Sequence, residues 1–305
     1  MTFPIVESVT TSTITTTGLT VLPVDIPAAV NAGDLLVVWV SYYTDKQDAS
    51  ILTAPAAWTK VHDIFDGAEV HATLLHKVAD GSEGGTELSL TVTGDWPANA
   101  MTAHCYRITA GGELEVETVA PVIQGSSASI GFVDAPEITP SWGSADTLYL
   151  IFGAAGRSET SITDPSGYTV LQTSGFDQSS RYANALSGHR ASTDVSDDPG
   201  TYDYGSYKAM AATALAIRAT VPDPSVTTTD TLQPGEDFTL TATNYASAPV
   251  SPVTLTDSEG STITVPVTIS GSGPYTAVGT MPTLAEAVTA GTSLLFGDVT
   301  IELTT

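Results

Sequence analysis

The feature that most constrains this chain is a rhythm. Short runs rich in Thr, Val and Ile are cut roughly every 8 to 12 residues by Gly, Pro, Asp or Ser. β-Branched side chains lose freedom in a helix and pack well on a pleated surface, so the rhythm predicts strands almost throughout. Leu35 to Val40 is apolar at every position, which predicts a strand covered on both faces. Leu88, Leu90 and Val92 alternate with Glu87, Ser89 and Thr91, which predicts a strand with one face in water.

A second constraint is internal repetition. Gly33-Asp34-Leu35-Leu36-Val37-Val38 aligns with Ala145-Asp146-Thr147-Leu148-Tyr149-Leu150 at an offset of 112. Thr53, Pro55, Trp58 and Thr59 align with Thr163, Pro165, Tyr168 and Thr169 at 110, and Ala100-Met101 with Ala209-Met210 at 109. Three anchors in one order predict a duplication, with halves of about 1–115 and 116–220. About five strands per half are few for a two-layer core, so the two halves are expected to share a single core. Trp58 and Tyr168 then cap equivalent sheet ends.

After Arg218 there is no Lys or Arg, and the two prolines of Thr220-Val-Pro-Asp-Pro224 cannot donate to a ladder. Nine carboxylates follow, among runs at Phe238–Thr243, Val253–Thr256, Thr262–Thr268 and Val299–Thr304. Residues 221–305 therefore read as a separate small sandwich of immunoglobulin type, without the inter-sheet disulfide. The expected fold is all-β: a large, internally duplicated, jelly-roll-like β-sandwich over 1–220, then this immunoglobulin-like module.

Charge narrows the partners. Lys plus Arg number 9 against 34 Asp plus Glu, a formal charge of −25. Such a surface repels nucleic acid and anionic lipid. Only 14 % of residues are charged, so Thr, Ser and Gly supply much of the polar surface. The amino terminus lacks a basic region followed by an apolar stretch, and no apolar run approaches a membrane span. Synthesis in a cytoplasm is the expectation, with no membrane insertion.

Motifs that carry chemistry are sparse. No Gly-x-Ser-x-Gly elbow and no phosphate-binding glycine loop occurs. Cys105, the lone cysteine, sits in the apolar pattern AHCYRI with His104 directed to the opposite face. It reads as a small buried hydrophobe. Glu69 and His71 share a face of one strand, but His76 differs in parity, so a metal site there needs a bend or a donor such as His62. Asp45, Asp48, Asp63 and Asp66 offer carboxylates beside a cleft, as glycoside hydrolysis requires.

An acidic loop is the better candidate. Asp194, Asp197, Asp198 and Asp203 place hard oxygen ligands within ten residues, the chemistry of a Ca²⁺ site, though without EF-hand spacing. No other cofactor is expected. Beside that loop Tyr202, Tyr204 and Tyr207 lie in TYDYGSY, with Tyr202 and Tyr204 on one face. Tyrosines with carboxylates on a rim suit either a subunit interface or a glycan.

The motifs NAGDLLVVWVS followed by APAAWTKV, and ADTLYLIFGA followed by DPSGYTVL, carry a family resemblance. They resemble the GDLLVV…PAGWT sandwich of tailed-bacteriophage virion proteins and some bacterial surface proteins, over about residues 20–220. The second half departs from it in Tyr168 for Trp and Ala145-Asp146 for Gly-Asp. Residues 221–305 resemble the immunoglobulin-like modules that phages append to head decoration, tail and fibre proteins. The resemblance implies an assembled, non-enzymatic virion component, expected to be homo-oligomeric and in contact with capsid or tail proteins, and the negative charge, which DNA inside a shell would repel, favours the particle exterior as a head decoration or fibre. The resemblance supplies no catalytic residues. The alternative expectation is a carbohydrate-binding adhesin or receptor-binding tail tip that attaches to a host glycan through the Tyr202 to Tyr207 rim.

Overall fold

The computed structural model divides the chain into two compact units, 1–220 and 221–305. In the first it describes residues 3–14, 18–44, 51–66, 70–93, 98–124, 132–156, 163–176, 182–203 and 210–220. In the second it describes the strand segments at 225–227, 237–243, 253–256, 262–265, 267–270, 275–280 and 300–302. Every regular element among the described residues is a strand.

The first half of the larger unit runs β1 (Ile5–Ile14), β2 (Val21–Asp25), β3 (Leu35–Thr44), β4 (Ile51–Thr53), β5 (Thr59–Asp66), β6 (Val70–Val78), β7 (Glu87–Thr93) and β8 (Ala98–Thr109). An inner sheet has the order β1-β8-β3-β6-β5, and an outer sheet the order β2-β7-β4. The second half runs β9 (Glu113–Thr118), β10 (Val122–Gln124), β11 (Phe132–Ala135), β12 (Thr147–Ala155), β13 (Thr169–Phe176), β14 (Tyr182–Ser192), β15 (Gly200–Asp203) and β16 (Met210–Thr220). Its inner sheet has the order β10-β16-β12-β14-β13, with β9 also paired to β16, and its outer sheet is β11-β15. The strand order of the first half thus recurs in the second, and all pairing is antiparallel.

The core is not the single one expected of two incomplete halves. Three apolar layers stack instead. Leu36, Val38, Val40 and Tyr42 of β3 meet Leu22, Val24, Leu52, Leu88, Leu90 and Val92 of the first outer sheet. The opposite face of β3, Leu35, Val37 and Trp39, meets Leu148, Leu150 and Phe152 of β12. The far face of β12, Tyr149 and Ile151, meets Val133, Ala135 and Tyr202 of the second outer sheet. Each half closes its own sandwich, and the inner sheets pack back to back, giving four sheet layers. This is why Leu35 to Val40 and Leu148 to Phe152 are apolar at both parities.

Across the middle layer β1 lies opposite β13, β8 opposite β14 and β5 opposite β10. The second inner sheet is therefore turned by half a turn about the strand direction, and matching ends of the halves come to one end of the block.

The structure also corrects one repeat offset. Pairing matches Val37, opposite His76, with Leu150, opposite His189, an offset of 113 where the sequence alignment uses 112. The offsets of 110 and 109 at Thr59/Thr169 and Met101/Met210 agree with the pairing. One residue matters because it exchanges the two faces of a strand. Asp34 then corresponds to Thr147. The Asp34 carboxylate accepts the Asn31 N–H at 2.7 Å and Arg107 Nε at 2.6 Å, just after Gly33 turns with φ of 90°. Thr147 instead accepts Trp142 Nε1 at 3.1 Å.

The smaller unit holds β17 (Ser225–Thr227), β18 (Asp237–Thr243), β19 (Val253–Thr256), β20 (Thr262–Val265), β21 (Val267–Ser270), β22 (Tyr275–Thr280) and β23 (Thr300–Glu302). They form a four-stranded sheet, β17-β18-β22-β21, and a three-stranded one, β20-β19-β23. The run read as one strand at Thr262–Thr268 is two strands in different sheets, divided at Pro266, whose ring removes a ladder donor.

Candidate functional site

The four acidic-loop residues do not converge. Asp197 is fully buried: it pairs with Arg190, accepts the Tyr168 hydroxyl, and bridges Ile138 through its backbone. Its carboxylate is thereby committed to a guanidinium and a phenol. Asp194 accepts Ser192 Oγ at 2.5 Å, Asp198 accepts the Gly200 N–H at 3.3 Å, and Asp203 bridges Thr163 through its backbone. No cluster of three metal-ligating side chains forms among the described residues. The calcium reading of Asp194, Asp197, Asp198 and Asp203 is corrected accordingly, because a cation at Asp197 would have to displace Arg190.

The tyrosine rim is corrected at Tyr202. Its side chain is completely buried among Val133, Tyr149 and Ile151, so in this fold it reaches neither a glycan nor a partner. The face of β15 that carries Tyr202 points into the core. Tyr204 and Tyr207 lie outside the described residues.

Glu69, Asp45 and Asp48 also lie outside the described residues, and Asp66 ends β5. Asp63 accepts Lys60 Nζ at 2.6 Å and Thr73 Oγ1 at 3.1 Å. His71 is buried between the Tyr42 and Phe65 rings at centroid distances of 4.9 and 4.6 Å, on the face opposite His76. Burial pushes the His71 ring down to about 4, so it stays neutral. Cys105 is buried in the first apolar layer, which pushes its thiol up to about 12. Trp58 and Tyr168 each pack at the margin of their own half's core.

Polar side chains also gather in the layer between the inner sheets, which strand-by-strand alternation does not reveal. Ser187 Oγ of β14 sits 2.7 Å from His104 Nδ1 and 2.5 Å from the Tyr106 hydroxyl, both of β8. Trp39 Nε1 donates across the same layer to the Gly153 carbonyl at 2.9 Å. His189 meets the Tyr106 ring edge-on, and His62 reaches the Val119 carbonyl of the other half. Desolvation holds His104 at about 3 and lowers His62, His76 and His189 from their ordinary values. Ser187 and His104 make a hydrogen-bonded pair of the kind that activates a nucleophile. Both are fully enclosed, so the pair ties two sheets together where a substrate has no path.

A second missed pattern is a repeated ion pair. Lys77 of β6 pairs with Glu83 and Asp80, and Arg190 of β14 with Asp197. The shared signal was His76-Lys77 against His189-Arg190, also at an offset of 113. With Lys60–Asp63, Arg107–Asp34 and Arg218–Glu115, each described cation faces a carboxylate. All five lie near strand ends at one end of the block, while Lys46, Arg157, Arg181 and Lys208 fall outside the described residues. The described surface is left with uncompensated negative charge.

No family model, curated protein or solved structure matches this chain.

Proposed function

We propose that the chain is a non-enzymatic structural protein of a tailed-bacteriophage particle, carried on its exterior as a head decoration or as part of a fibre or appendage. In this reading residues 1–220 are two copies of one jelly-roll unit, and residues 221–305 are an immunoglobulin-like module. The observation that carries it is the four-layer block. Apolar side chains cover both faces of the central strands of each inner sheet, in a chain whose single cysteine forms no intrachain disulfide, which suits a particle part that must persist outside a cell.

Three further observations support the reading. The first half sets β1-β8-β3-β6-β5 over β2-β7-β4, an order that supports the jelly-roll reading, and the inner sheet of the second half follows the same order. Each GDLLVV-like motif leads into the central strand of an inner sheet, and each Pro-x-x-aromatic-Thr motif leads into β5 or β13. Cations already paired with carboxylates leave an acidic surface, which DNA inside a shell would repel. The adhesin alternative loses Tyr202, the described member of its tyrosine rim.

Mass spectrometry of purified particles from the encoding phage, with antibody labelling of intact particles, tests the proposal. The chain is expected as a stoichiometric virion component accessible to antibody before disruption. Its absence from particles, or labelling only after they are opened, would overturn it.

A further inference from the structure

We infer that the outer edge of β13 is the surface through which two copies of this chain pair, strand to strand and antiparallel. An edge strand offers a row of unpaired N–H and C=O groups, and monomeric β proteins blunt such edges with charge, proline, bulges or brevity. The edges of the larger unit can be compared one by one. β1 carries Glu7, a bulge between Val6 and Ser8, and the neighbouring Asp25, whose N–H bonds Ser12 Oγ at 2.8 Å. β5 carries Lys60, Asp63 and Asp66 and a bulge between Lys60 and His62. β9 carries three glutamates, and β10 is three residues long and follows Pro121. β2 holds Pro23 and Asp25, β4 is three residues long, and β11 and β15 are four each with an aspartate.

β13 has none of these devices. Its eight residues, TVLQTSGF, contain no charge and no proline, and it pairs with β14 in unbroken register from Thr169↔His189 to Phe176↔Tyr182. Among the described residues its other side has no strand partner. Val170 is 38 % exposed at its start.

The charge of the chain selects the occupant. A basic partner would be drawn to the acidic edges, but another copy carries the same −25 and is repelled from them. The neutral edge is where two copies approach with least repulsion. An antiparallel pair of identical strands about a twofold axis is also self-complementary, and it closes at two copies. The inference does not rest on the virion reading, and either can fail without the other.

Sedimentation velocity on the full chain tests it, with Gln172→Glu as the variant. Gln172 stands at the middle of β13, where a twofold brings the two strands' centres together, and like charges opposed across a strand pair are unfavourable. The wild-type chain is expected to sediment at twice its mass, and more completely as salt is raised. The variant is expected to dissociate at least tenfold more readily while keeping a cooperative thermal transition. Val170→Glu, at an exposed position, provides a second variant should Gln172→Glu disturb the fold. Gln172→Cys is expected to give an oxidised, SDS-resistant dimer, since Cys105 is enclosed. A wild-type chain that stays monomeric, or an oligomer whose mass neither glutamate changes, would overturn the inference.

Discussion

Ser187 of the second half and His104 of the first meet at 2.7 Å in the layer between the two inner sheets, and Tyr106 shares the same hydroxyl at 2.5 Å. A buried polar group left without a partner costs about 1 to 3 kcal/mol, more than a net hydrogen bond contributes. Ser187→Ala removes a hydroxyl that both His104 and Tyr106 contact. We expect it to destabilise the larger unit by about 2 to 4 kcal/mol, read as a lower urea midpoint with unchanged slope. A loss below about 0.5 kcal/mol would mean that the contact is not made in solution.

Acid should weaken the fold through the histidines. Burial holds all five below their ordinary value of 6.5, so the unfolded chain binds protons that the folded chain refuses. Their contribution is full above pH 6.5 and is lost as pH falls towards about 4 for His71 and about 3 for His104. His71 and His104 each make stability fall by up to about 1.4 kcal/mol per pH unit in that window. His71→Phe keeps an aromatic between Tyr42 and Phe65 and should flatten the pH dependence by one proton's share. An unchanged slope in urea titrations across the window would show that His71 titrates freely.

Gly188 lies beneath the side chains that join β12, β13 and β14. A Cβ there would stand 3.1 Å from Val170 Cγ1, 3.2 Å from Tyr168 Cβ and 3.3 Å from Ile151 Cγ1. Gly188→Ala is therefore an overpacking change, expected to cost about 1 to 3 kcal/mol. Thermal unfolding would register a lower midpoint, and a neutral or stabilising result would contradict the packing described.

Asp197 holds Arg190 and the Tyr168 hydroxyl at once. Asp197→Asn keeps the shape and removes the charge, which should cost about 1.5 to 3 kcal/mol. Millimolar calcium should leave the melting temperature of the wild-type chain unchanged, because the carboxylate is already paired. A calcium-dependent rise abolished by Asp197→Asn would restore the metal reading.

Strand identity was legible because face alternation is local. Leu88, Leu90 and Val92 declare which side of β7 is buried, and the structure follows that alternation residue by residue. An apolar residue at every position of β3 announced burial on both sides, but not what covers each side. The back-to-back packing of β3 on β12 joins residues more than a hundred positions apart, and no local pattern encodes it. The same gap explains the site errors. Tyr202 alternates as expected in β15, yet the choice between core and rim depends on which sheet lies above it. Asp197 looks like its acidic neighbours until Arg190 is brought against it.

Amide hydrogen exchange on the full chain tests the central claim, that the two halves are one block joined through their inner sheets. β3, β12 and β16 are buried on both faces, so their amides should exchange only when the whole block opens, with one shared free energy that Ser187→Ala lowers equally in both halves. Protection in β3 that persists while β12 and β16 open separately would contradict the shared middle layer.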